Sequence, residues 1–482
     1  MNRLNLFILA LTVSILVGCA ANPVTGKQDF VLMSEDQEIS TGQKYHQEIL
    51  KQYTPYDDPE LQAYVSRLVD DLAQNSHRNH LVYHVTVLDS PEVNAFALPG
   101  GYLYITRGIM AYMNTEAELA GVLGHELGHI TARHGVRQHS ASTIAGILST
   151  AAAIATGSSY AGDATNFAST ALVRGYGRGH ELEADRLGAE YIAKTGYDPQ
   201  EMINVVEILK DQEEFDKKVA AAEGREPRGY HGLFSTHPSN DQRLQEVISA
   251  ANVFHSQKNR EEDGTFLKLT NGMVFGTSAR EGVIRNNKFY HKELGISITF
   301  PQGWQVDNLP TQLIASTNSR DAFMQITVSD LNKRQTPEQY LRERFGNSLK
   351  AGEKISTANY EGYTGVAPAN TPFGRQDTRI GVVFKGNQVY QFLAAAKDSN
   401  LMNRYDRNFI ATISSLQALK PSEEKLAQAQ HIKLIKAKPG DTFEKYAKTS
   451  PLTAYPADQL RLINGLFPNG QPTPGEYVKI IQ

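Results

Sequence analysis

The sequence has almost no cysteine and no long block of basic residues. Cys19 is the only cysteine among 482 residues, so the chain can form no internal disulfide. The formal net charge is −4, from 48 lysine and arginine residues against 52 acidic ones. This balance lacks the basic footprint of a nucleic-acid-binding protein, and no nucleic-acid partner is expected. The length exceeds what one hydrophobic core usually supports and predicts two or three domains.

The N-terminal segment, residues 1–19, has the pattern of an export signal. Arg3 supplies a positive charge, and the apolar stretch from Leu4 to Val17 is too short to span a bilayer comfortably. It ends in Leu16-Val17-Gly18-Cys19, which resembles the bacterial lipobox and implies a diacylated Cys19 that anchors the chain to a membrane. Ala20 follows, where an aspartate would favour the inner membrane, so we expect the periplasmic face of the outer membrane. An ordinary signal peptide with an incidental cysteine is the alternative.

Residues 30–255 alternate between amphipathic helical patterns and short strands, which predicts an α+β domain. The predicted helices are Ser34–Leu50, Pro59–Gln74, one starting near Thr115, Arg178–Lys194, Pro199–Lys218 and Asp241–Ala250. The predicted strands are Leu81–Leu88 and Gly101–Thr106. The alanine-rich stretch Ala141–Ala155 is shorter than the roughly twenty residues of a membrane span, and we expect a buried or interfacial helix there. The polar run Lys217–Gly229 is expected to be a mobile loop.

Two further domains are predicted after the charged, glycine-containing stretch between residues 258 and 287. Residues 286–418 consist mainly of strand patterns with one helix capped by Thr336, which predicts a second α+β domain without a catalytic constellation. Residues 430–482 have the order strand, helix, helix, strand and resemble a LysM module, a family that binds the glycan of peptidoglycan. A small packing module without a ligand is the alternative.

The long helix after Thr115 carries the pattern on which the functional prediction depends. Thr115 is expected to cap its first turn, with Glu118 completing a capping box. His125 and His129 lie four residues apart, so both imidazoles project from one face and can ligate one tetrahedral Zn²⁺ ion. Glu126 lies beside them, near the position of a metal-bound water. This H-E-x-x-H pattern predicts the zinc site of a metallopeptidase, and two surface histidines are the alternative.

A catalytic zinc site needs a third protein ligand and an open fourth position. His134 lies one residue short of the spacing that the metzincin pattern requires, so a structural role is expected for it. Glu181 is the other candidate, on the downstream helix. It shares a face with Asp185, which is placed to accept a hydrogen bond from a ligand histidine. Glu183 points about 160° away from Glu181 on the helix and is expected to be solvated.

Two further patterns predict the surroundings of the site. Gly121, Gly124 and Gly128 each cost roughly 1 kcal/mol relative to alanine inside a helix, which indicates that another element packs closely against their face. The strand Tyr102–Thr106 is a candidate edge strand for pairing with an extended substrate backbone. An ordinary interior strand is the alternative.

Four motifs resemble the HtpX and CAAX-prenyl-protease type of gluzincin, a family of zinc endopeptidases, and in particular its exported BepA/LoiP-like lipoprotein branch. They are Asn94–Gly101, His125–His129, Glu181-x-x-Ala184-Asp185, and Ser235–Pro238 followed by Arg243. The resemblance covers about Ser34 to Ala250 and implies a mainly helical protease domain with a small sheet. That branch has a helical-repeat domain after the protease, whereas the region after Asn287 is rich in strand patterns, so its partners are not transferred to this chain.

Carried over residue by residue, the family pattern implies one zinc ion per chain. Its ligands would be His125, His129 and Glu181. Glu126 would be the general base, taking a proton from a zinc-activated water and passing it to the leaving amine. The resemblance also implies that His237 lies near the metal, where it stabilises the oxyanion or occupies the fourth position as a gate. Arg243 is expected to support the same region.

The expected function is a zinc-dependent endopeptidase that acts on misfolded or misassembled envelope proteins, a substrate class implied by the family. The alternative is a gated protease that acts mainly as a periplasmic chaperone or assembly factor for outer-membrane proteins. A third alternative is a peptidoglycan-processing enzyme directed by residues 430–482. The gluzincin motifs, which are those of protein-cleaving enzymes, count against it.

Overall fold

A computed structural model of the chain describes residues 19–143, 176–224, 227, 241–256, 260, 262–309 and 311–482. Residues 1–18 of the predicted export signal 1–19, and residues 144–155 of the predicted helix Ala141–Ala155, lie outside the described residues. Among the helices that are described, none combines the length and the apolar character needed to cross a membrane.

The N-terminal half of the chain contributes the helices that position the candidate site. They are α1 (Glu35–Gln52), α2 (Pro59–Gln74), α3 (Arg107–Met110), α4 (Glu116–Thr131), α5 (Arg178–Thr195), α6 (Glu201–Glu223), α7 (Asp241–Val253) and α8 (Thr265–Leu269). A further helical segment, 134–143, follows α4. Ser34 and Thr115 cap α1 and α4, and Gly196 ends α5 in the left-handed conformation at φ 109°.

Two details differ from the sequence predictions. Helix α6 extends to Glu223, so Lys217–Glu223 is helical rather than part of a mobile loop. Three alanines near its end and an ion pair between Lys217 and Glu213 favour the longer helix. In α4 the Glu118 carboxylate accepts its hydrogen bond from the backbone N–H of Asn114, one residue before the cap. The predicted capping box therefore forms in a shifted version.

A small three-stranded sheet lies beside these helices. The strands of this half are β1 (Cys19–Ala21), β2 (Gln28–Phe30), β3 (His84–Leu88), β4 (Ala95–Leu98), β5 (Tyr102–Thr106) and β6 (Val274–Phe275). The sheet order is β3-β5-β4, with β5 parallel to β3 and antiparallel to β4. The prediction that Tyr102–Thr106 is an edge strand is therefore wrong, because β5 is the central strand. Strand β4 was not predicted, since all four of its residues are buried and show no polar alternation.

Helices α4 and α5 pack with their backbones in contact. A Cβ atom at Gly128 would lie 3.0 Å from the carbonyl oxygen of Ala184, and one at Gly188 would lie 3.0 Å from the backbone nitrogen of His125. At Gly124 a Cβ atom would lie 3.3 Å from the carbonyl oxygen of Gly188. The prediction that another element packs against the glycine face of the long helix is confirmed: α5 packs against Gly124 and Gly128, and α6 packs against Gly121.

The region after residue 282 forms a second, mainly antiparallel sheet structure. Its elements are β7 (Val283–Arg285), β8 (Lys288–His291), β9 (Ile296–Thr299), β10 (Gln305–Leu309), β11 (Gln312–Ser316), β12 (Ala322–Asp330), α9 (Pro337–Phe345), β13 (Lys350–Ser356), β14 (Glu361–Thr371), β15 (Gly374–Lys385), β16 (Gln388–Ala396), α10 (Ser399–Ser414) and β17 (Gln417–Ala418). Seven strands form a sheet in the order β10-β11-β12-β16-β15-β14-β13, and four more form the order β17-β9-β8-β7. In β15, Val382 packs in the core beneath α9, while Val383 packs in the core beneath α10. The large sheet thus carries a helix on each face.

The C-terminal segment packs into the core of the N-terminal half. It contains β18 (Gln430–Lys436), α11 (Phe443–Ala447), α12 (Pro456–Ile463) and β19 (Tyr477–Ile481). Strand β18 pairs with β19 on one side and with β6 on the other. Ile432, Leu460 and Val478 belong to the same buried cluster as Leu123 and Leu127 of α4. The chain's last strands therefore help to build the core around α4.

Lys479 of β19 makes the most specific contact between these two parts. Its ammonium group is fully buried and donates hydrogen bonds to the carbonyl oxygens of Ala111, at 2.8 Å, and Met113, at 2.6 Å. These carbonyls belong to the short connection that enters α4. Burial lowers the pKa of Lys479, and the neighbouring Glu118 carboxylate opposes this shift. The start of α4 is thus fixed by the last strand of the chain.

We expect Gly128→Ala to destabilise the fold even though alanine is the better helix former. The added Cβ would meet the backbone of α5, and overpacking of this kind costs about 1–3 kcal/mol. Gly179→Ala is the matched control, since no atom lies within 4 Å of a Cβ at that helical position. It should leave stability unchanged or raise it by up to about 1 kcal/mol. Urea unfolding of both variants tests this, and equal midpoints for the two would contradict the backbone contact.

We expect Lys479→Met to lower the free energy of unfolding by about 1–3 kcal/mol, because the carbonyls of Ala111 and Met113 lose a buried donor. Lys433→Met, at an exposed position of β18, is the control and should change stability by less than about 0.5 kcal/mol. Thermal unfolding measures both. A Lys479→Met protein as stable as the control would argue against the role assigned to this lysine.

Candidate metal centre

Helix α4 places His125, Glu126 and His129 in the interior of the fold. All three side chains are buried, and Glu126 has no exposed surface. The two histidines lie on the face of α4 that meets the first turn of α5, where Glu181 is also buried. The close packing of the two helices therefore brings residues far apart in sequence to one point.

The candidate ligand atoms form a compact triangle. The Nε2 atoms of His125 and His129 lie 3.0 Å apart, and each lies 3.6 Å from a carboxylate oxygen of Glu181. A tetrahedral zinc ion with bonds of about 2.0–2.1 Å separates its ligands by about 3.3 Å. Among the described residues, these three are the group of metal-ligating side chains close enough to share one ion. Two imidazoles and one carboxylate fit the ligand set of a catalytic zinc site, which leaves one position open.

Asp185 contacts His125 on the Nδ1 side of its ring, and Arg243 in turn holds Asp185. The Nδ1 atom of His125 lies 2.8 Å from Oδ1 of Asp185. Arg243 of α7 donates two hydrogen bonds to the same carboxylate, at 2.8 and 2.7 Å, and lies 3.3 Å from Glu181. This carboxylate–histidine pair orients the ring with Nε2 towards the other two ligands.

The carboxylates also set the protonation of His125. Burial disfavours the charged ring, but the hydrogen bond and charge of Asp185, followed by those of Glu181, raise the pKa of His125 to about 10. The charge of Arg243 keeps the pKa of Asp185 low against the effect of burial. The two carboxylates therefore favour a proton on His125, and a metal bound at this position would compete with that proton.

His134 and Glu183 lie closer to the site than the sequence suggested. The Nδ1 atom of His134 is 2.8 Å from Nδ1 of His129, and its Nε2 is 3.1 Å from the Glu183 carboxylate. Arg137 donates a hydrogen bond of 2.8 Å to the same carboxylate. The prediction that Glu183 is solvated is wrong, because residues 134–143 pack against that side of α5. Burial raises the pKa of Glu183, but His134 and Arg137 outweigh it and lower the value to about 2.

Tyr176 is a neighbour of the site that the sequence gave no reason to select. Its ring stacks on His129, with ring centroids 4.0 Å apart and an interplanar angle of 16°. Burial raises the pKa of the Tyr176 phenol, and the charges of Glu126 and Glu181 add to this effect. The phenol therefore stays protonated beside the candidate ligands. No local motif marks this tyrosine, since it precedes α5 in a glycine-containing stretch.

The C-terminal end of α4 is held by a buried cluster of charges. Arg78 and Glu38 are fully buried and lie 2.8 Å apart. Arg78 also donates a hydrogen bond of 3.1 Å to the carbonyl oxygen of Ile130, in the last turn of α4. Arg133 donates to the other oxygen of Glu38 at 2.8 Å. Helix α1 is thereby tied to the end of the helix that carries the histidines.

Two predicted functional residues are not placed at this centre. His237 lies outside the described residues. Cys19 is the first residue of β1, which pairs with β2, and its side chain is outside what the structure describes. The structure thus brings together His125, Glu126, His129, Glu181, Asp185 and Arg243.

Comparison with known proteins finds a family match for this part of the chain. The family model described as peptidase family M48 matches residues 59–251, a span that contains all six residues brought together above. Likeness to solved structures is weak. Cyanobacterial PsbP from Synechocystis sp. PCC 6803 covers 28% of this chain and 95% of its own at 13% identity, but its TM-score of 0.22 is too low to establish a shared fold.

Several curated proteins are similar over the same half of the chain. The beta-barrel assembly-enhancing protease of Yersinia pestis is 28% identical over 240 residues, which cover 48% of this chain and 47% of that protein. Its counterpart in Escherichia coli K12 is 30% identical over 230 residues, 46% and 45% of the two chains. The mitochondrial metalloendopeptidase OMA1 of Arabidopsis thaliana is 31% identical over 182 residues, 38% and 34%. The match thus spans less than half the length of each relative. Residues 59–251 of this chain are thus similar to peptidase family M48.

Proposed function

We propose that this chain is a zinc-dependent endopeptidase that hydrolyses peptide bonds of misfolded or misassembled envelope proteins. The observation that carries the proposal is the buried triangle of His125, His129 and Glu181, whose ligand atoms match the spacing around one tetrahedral zinc ion. The match of residues 59–251 to the model of a peptidase family supports it. So do the relatives, which are named as proteases and metalloendopeptidases.

Glu126 is the proposed general base. It directly follows His125 on α4 and is fully buried, as a group that acts on a sheltered water must be. Zinc bound by the triangle would supply a water of lowered pKa and would polarise the scissile carbonyl. Glu126 then takes the proton of the attacking water and passes it to the leaving amine. The pathway needs no covalent intermediate with the chain.

His237 is proposed to act at the reacting carbonyl or at the metal, and Arg243 is proposed to support the same region. Arg243 contacts Asp185 and Glu181, so the start of α7 lies at the site. His237 precedes α7 by a few residues in the sequence, which supports a position near the metal. In the proposal His237 stabilises the oxyanion or closes the fourth metal position, while Arg243 holds Asp185 and the third ligand in place.

Strand β4 is proposed as the edge that binds the substrate backbone. Within the described residues it has β5 as its partner strand on one side. The space beside His129 is lined by Ala97 and Leu98 of β4, together with Tyr176. An extended peptide added to this edge would run past the ligand histidine, close to Glu126. This assignment replaces the edge-strand role first expected for Tyr102–Thr106.

The proposed location is the periplasmic face of the outer membrane, with a lipid on Cys19. The order of residues before Cys19 supports this location. Residues 430–482 have the strand, helix, helix, strand order of a LysM-like module, and their turn at residues 438–440 is exposed. We therefore include contact with peptidoglycan through this segment as part of the proposal.

We expect the purified protein without its N-terminal lipid to bind one zinc ion per chain and Glu181→Gln to lose this stoichiometric binding. Loss of the third ligand should weaken zinc binding by roughly 100-fold or more. This exceeds the loss expected when a residue that only hydrogen-bonds to a ligand is removed. Glu207→Gln, at an exposed position of α6, is the matched control and should bind zinc normally. Competition with a chromophoric chelator measures the affinities. Equal zinc affinity in Glu181→Gln and the control would exclude Glu181 as a ligand.

We expect Glu126→Gln to keep zinc and to lose casein cleavage by about 10²–10⁴-fold, the usual contribution of a general base. The change removes only the basic carboxylate, so zinc content and the unfolding midpoint should stay close to those of the wild type. The Glu207→Gln protein should cleave casein at the wild-type rate. Equal rates in Glu126→Gln and the wild type would sink the mechanism. Wild-type protein that holds zinc but cleaves nothing would favour the gated chaperone or assembly factor instead.

A further inference from the structure

The two candidate histidine ligands are supported in different ways. The Nδ1 atom of His125 meets a carboxylate directly, Oδ1 of Asp185 at 2.8 Å. The Nδ1 atom of His129 instead meets a second imidazole, Nδ1 of His134 at 2.8 Å. A carboxylate, carbonyl or water is the usual partner of a metal-ligating histidine. The contact of His129 with His134 therefore departs from the usual pattern.

His134 connects His129 to a carboxylate. It has no exposed surface, and its Nε2 atom lies 3.1 Å from Oε2 of Glu183. Arg137 donates to the same oxygen at 2.8 Å, as Arg243 does to Asp185. Both ligand histidines therefore end on a carboxylate held by an arginine. For His125 the connection is direct, and for His129 it runs through His134.

The hydrogen-bond chain has one consistent set of proton positions when a metal is bound. The Nε2 atom of His129 faces the other two ligands, so it must be free of a proton to bind the ion. The proton of His129 then lies on Nδ1 and is donated to Nδ1 of His134. His134 in turn carries its proton on Nε2 and donates it to Glu183. His134 is neutral in this arrangement, because a proton on its Nδ1 atom would face the Nδ1 proton of His129.

The backbone at the end of α4 is shaped to make this contact. Helix α4 ends at Thr131, and Arg133 adopts the left-handed conformation at φ 55°, which is uncommon for a residue with a side chain. The guanidinium of Arg133 is held by Glu38 at 2.8 Å and by the carbonyl oxygen of Met33 at 2.8 Å. The turn at Arg133 breaks the helical course and points His134 back at His129.

We propose that His134 and Glu183 are positioning residues of the metal centre, which fix the proton and the ring orientation of His129 so that its Nε2 atom is presented to the ion. The inference rests on the proposed function, because it assumes that His129 is a ligand. It replaces the structural role first expected for His134 and the solvated role expected for Glu183. In this proposal both residues act indirectly, through the ring of His129.

The competing explanation is that His134 is only a buried ring in the packing. It stacks on His180, with centroids 4.3 Å apart and an interplanar angle of 17°, and is tilted against Tyr176. The two explanations predict opposite orders of zinc affinity for two variants, His134→Phe and His134→Asn. His134→Phe keeps the ring but removes the acceptor, whereas His134→Asn keeps an acceptor near the Nδ1 position but leaves a void.

The experiment compares zinc affinity and stability in the full chain without its lipid. We expect His134→Phe to bind zinc about 10–100-fold more weakly than the wild type, and His134→Asn to recover most of that loss. The visible spectrum of the cobalt-substituted protein should change in His134→Phe and return towards the wild type in His134→Asn. A His134→Phe protein with wild-type zinc affinity, or one that binds zinc more tightly than His134→Asn, would overturn the inference.

Glu183→Gln keeps the test decisive if His134→Phe fails to fold. The half-buried glutamine can still accept the hydrogen bond of His134, but it lacks the negative charge that polarises the hydrogen bonds from His129 through His134. We expect zinc to bind several-fold more weakly in this variant, with Glu207→Gln unchanged. Identical affinities in the two would overturn the inference. Because zinc affinity is measured without substrate, failure to cleave casein would count against the proposed peptidase activity and leave this readout intact.

Discussion

The close approach of α4 and α5 is the constraint on which the candidate site depends. Two ligands at four-residue spacing on one helix need a third from another element. The missing side chains at Gly128 and Gly188 allow backbone contact between the two helices. The glycines thus lower the helix propensity of α4 and α5, but they allow the close packing that places Glu181 beside the two histidines.

The ends of α4 are fixed from outside the motif that it carries. At the start, Lys479 from the last strand holds the carbonyls that lead into the helix. At the end, Arg78 binds the carbonyl of Ile130 and is itself paired with Glu38. The buried ion pair between Arg78 and Glu38 contributes little to net stability, because desolvation offsets its attraction. Together with Lys479 it defines the position of the helix between its two ends.

Local signals in the sequence were enough to predict most of the helices, including the one that carries His125 and His129. Features that depend on residues far apart in the sequence could not be predicted in this way. The cap at Thr115 and the stop at Gly196 are decided within a few residues, and the structure has both. Strand order is decided by partners far away in sequence, so β5 could not be recognised as central. The surroundings of Glu183 depend on residues 134–143, which pack against the side of α5 that a helical wheel assigns to solvent.

The shared core explains why composition was a poor guide to how the last segment is used. A polar linker and a complete strand, helix, helix, strand pattern describe residues 430–482 as a separate unit. Yet Ile432 and Val478 are buried in one cluster with Leu123, and β18 extends a sheet that begins at β6. An isolated module of about fifty residues buries little surface of its own, and docking on α4 supplies the rest. Through Lys479, the chain's last strand also contacts the connection that leads into α4, the helix that carries the candidate ligands His125 and His129.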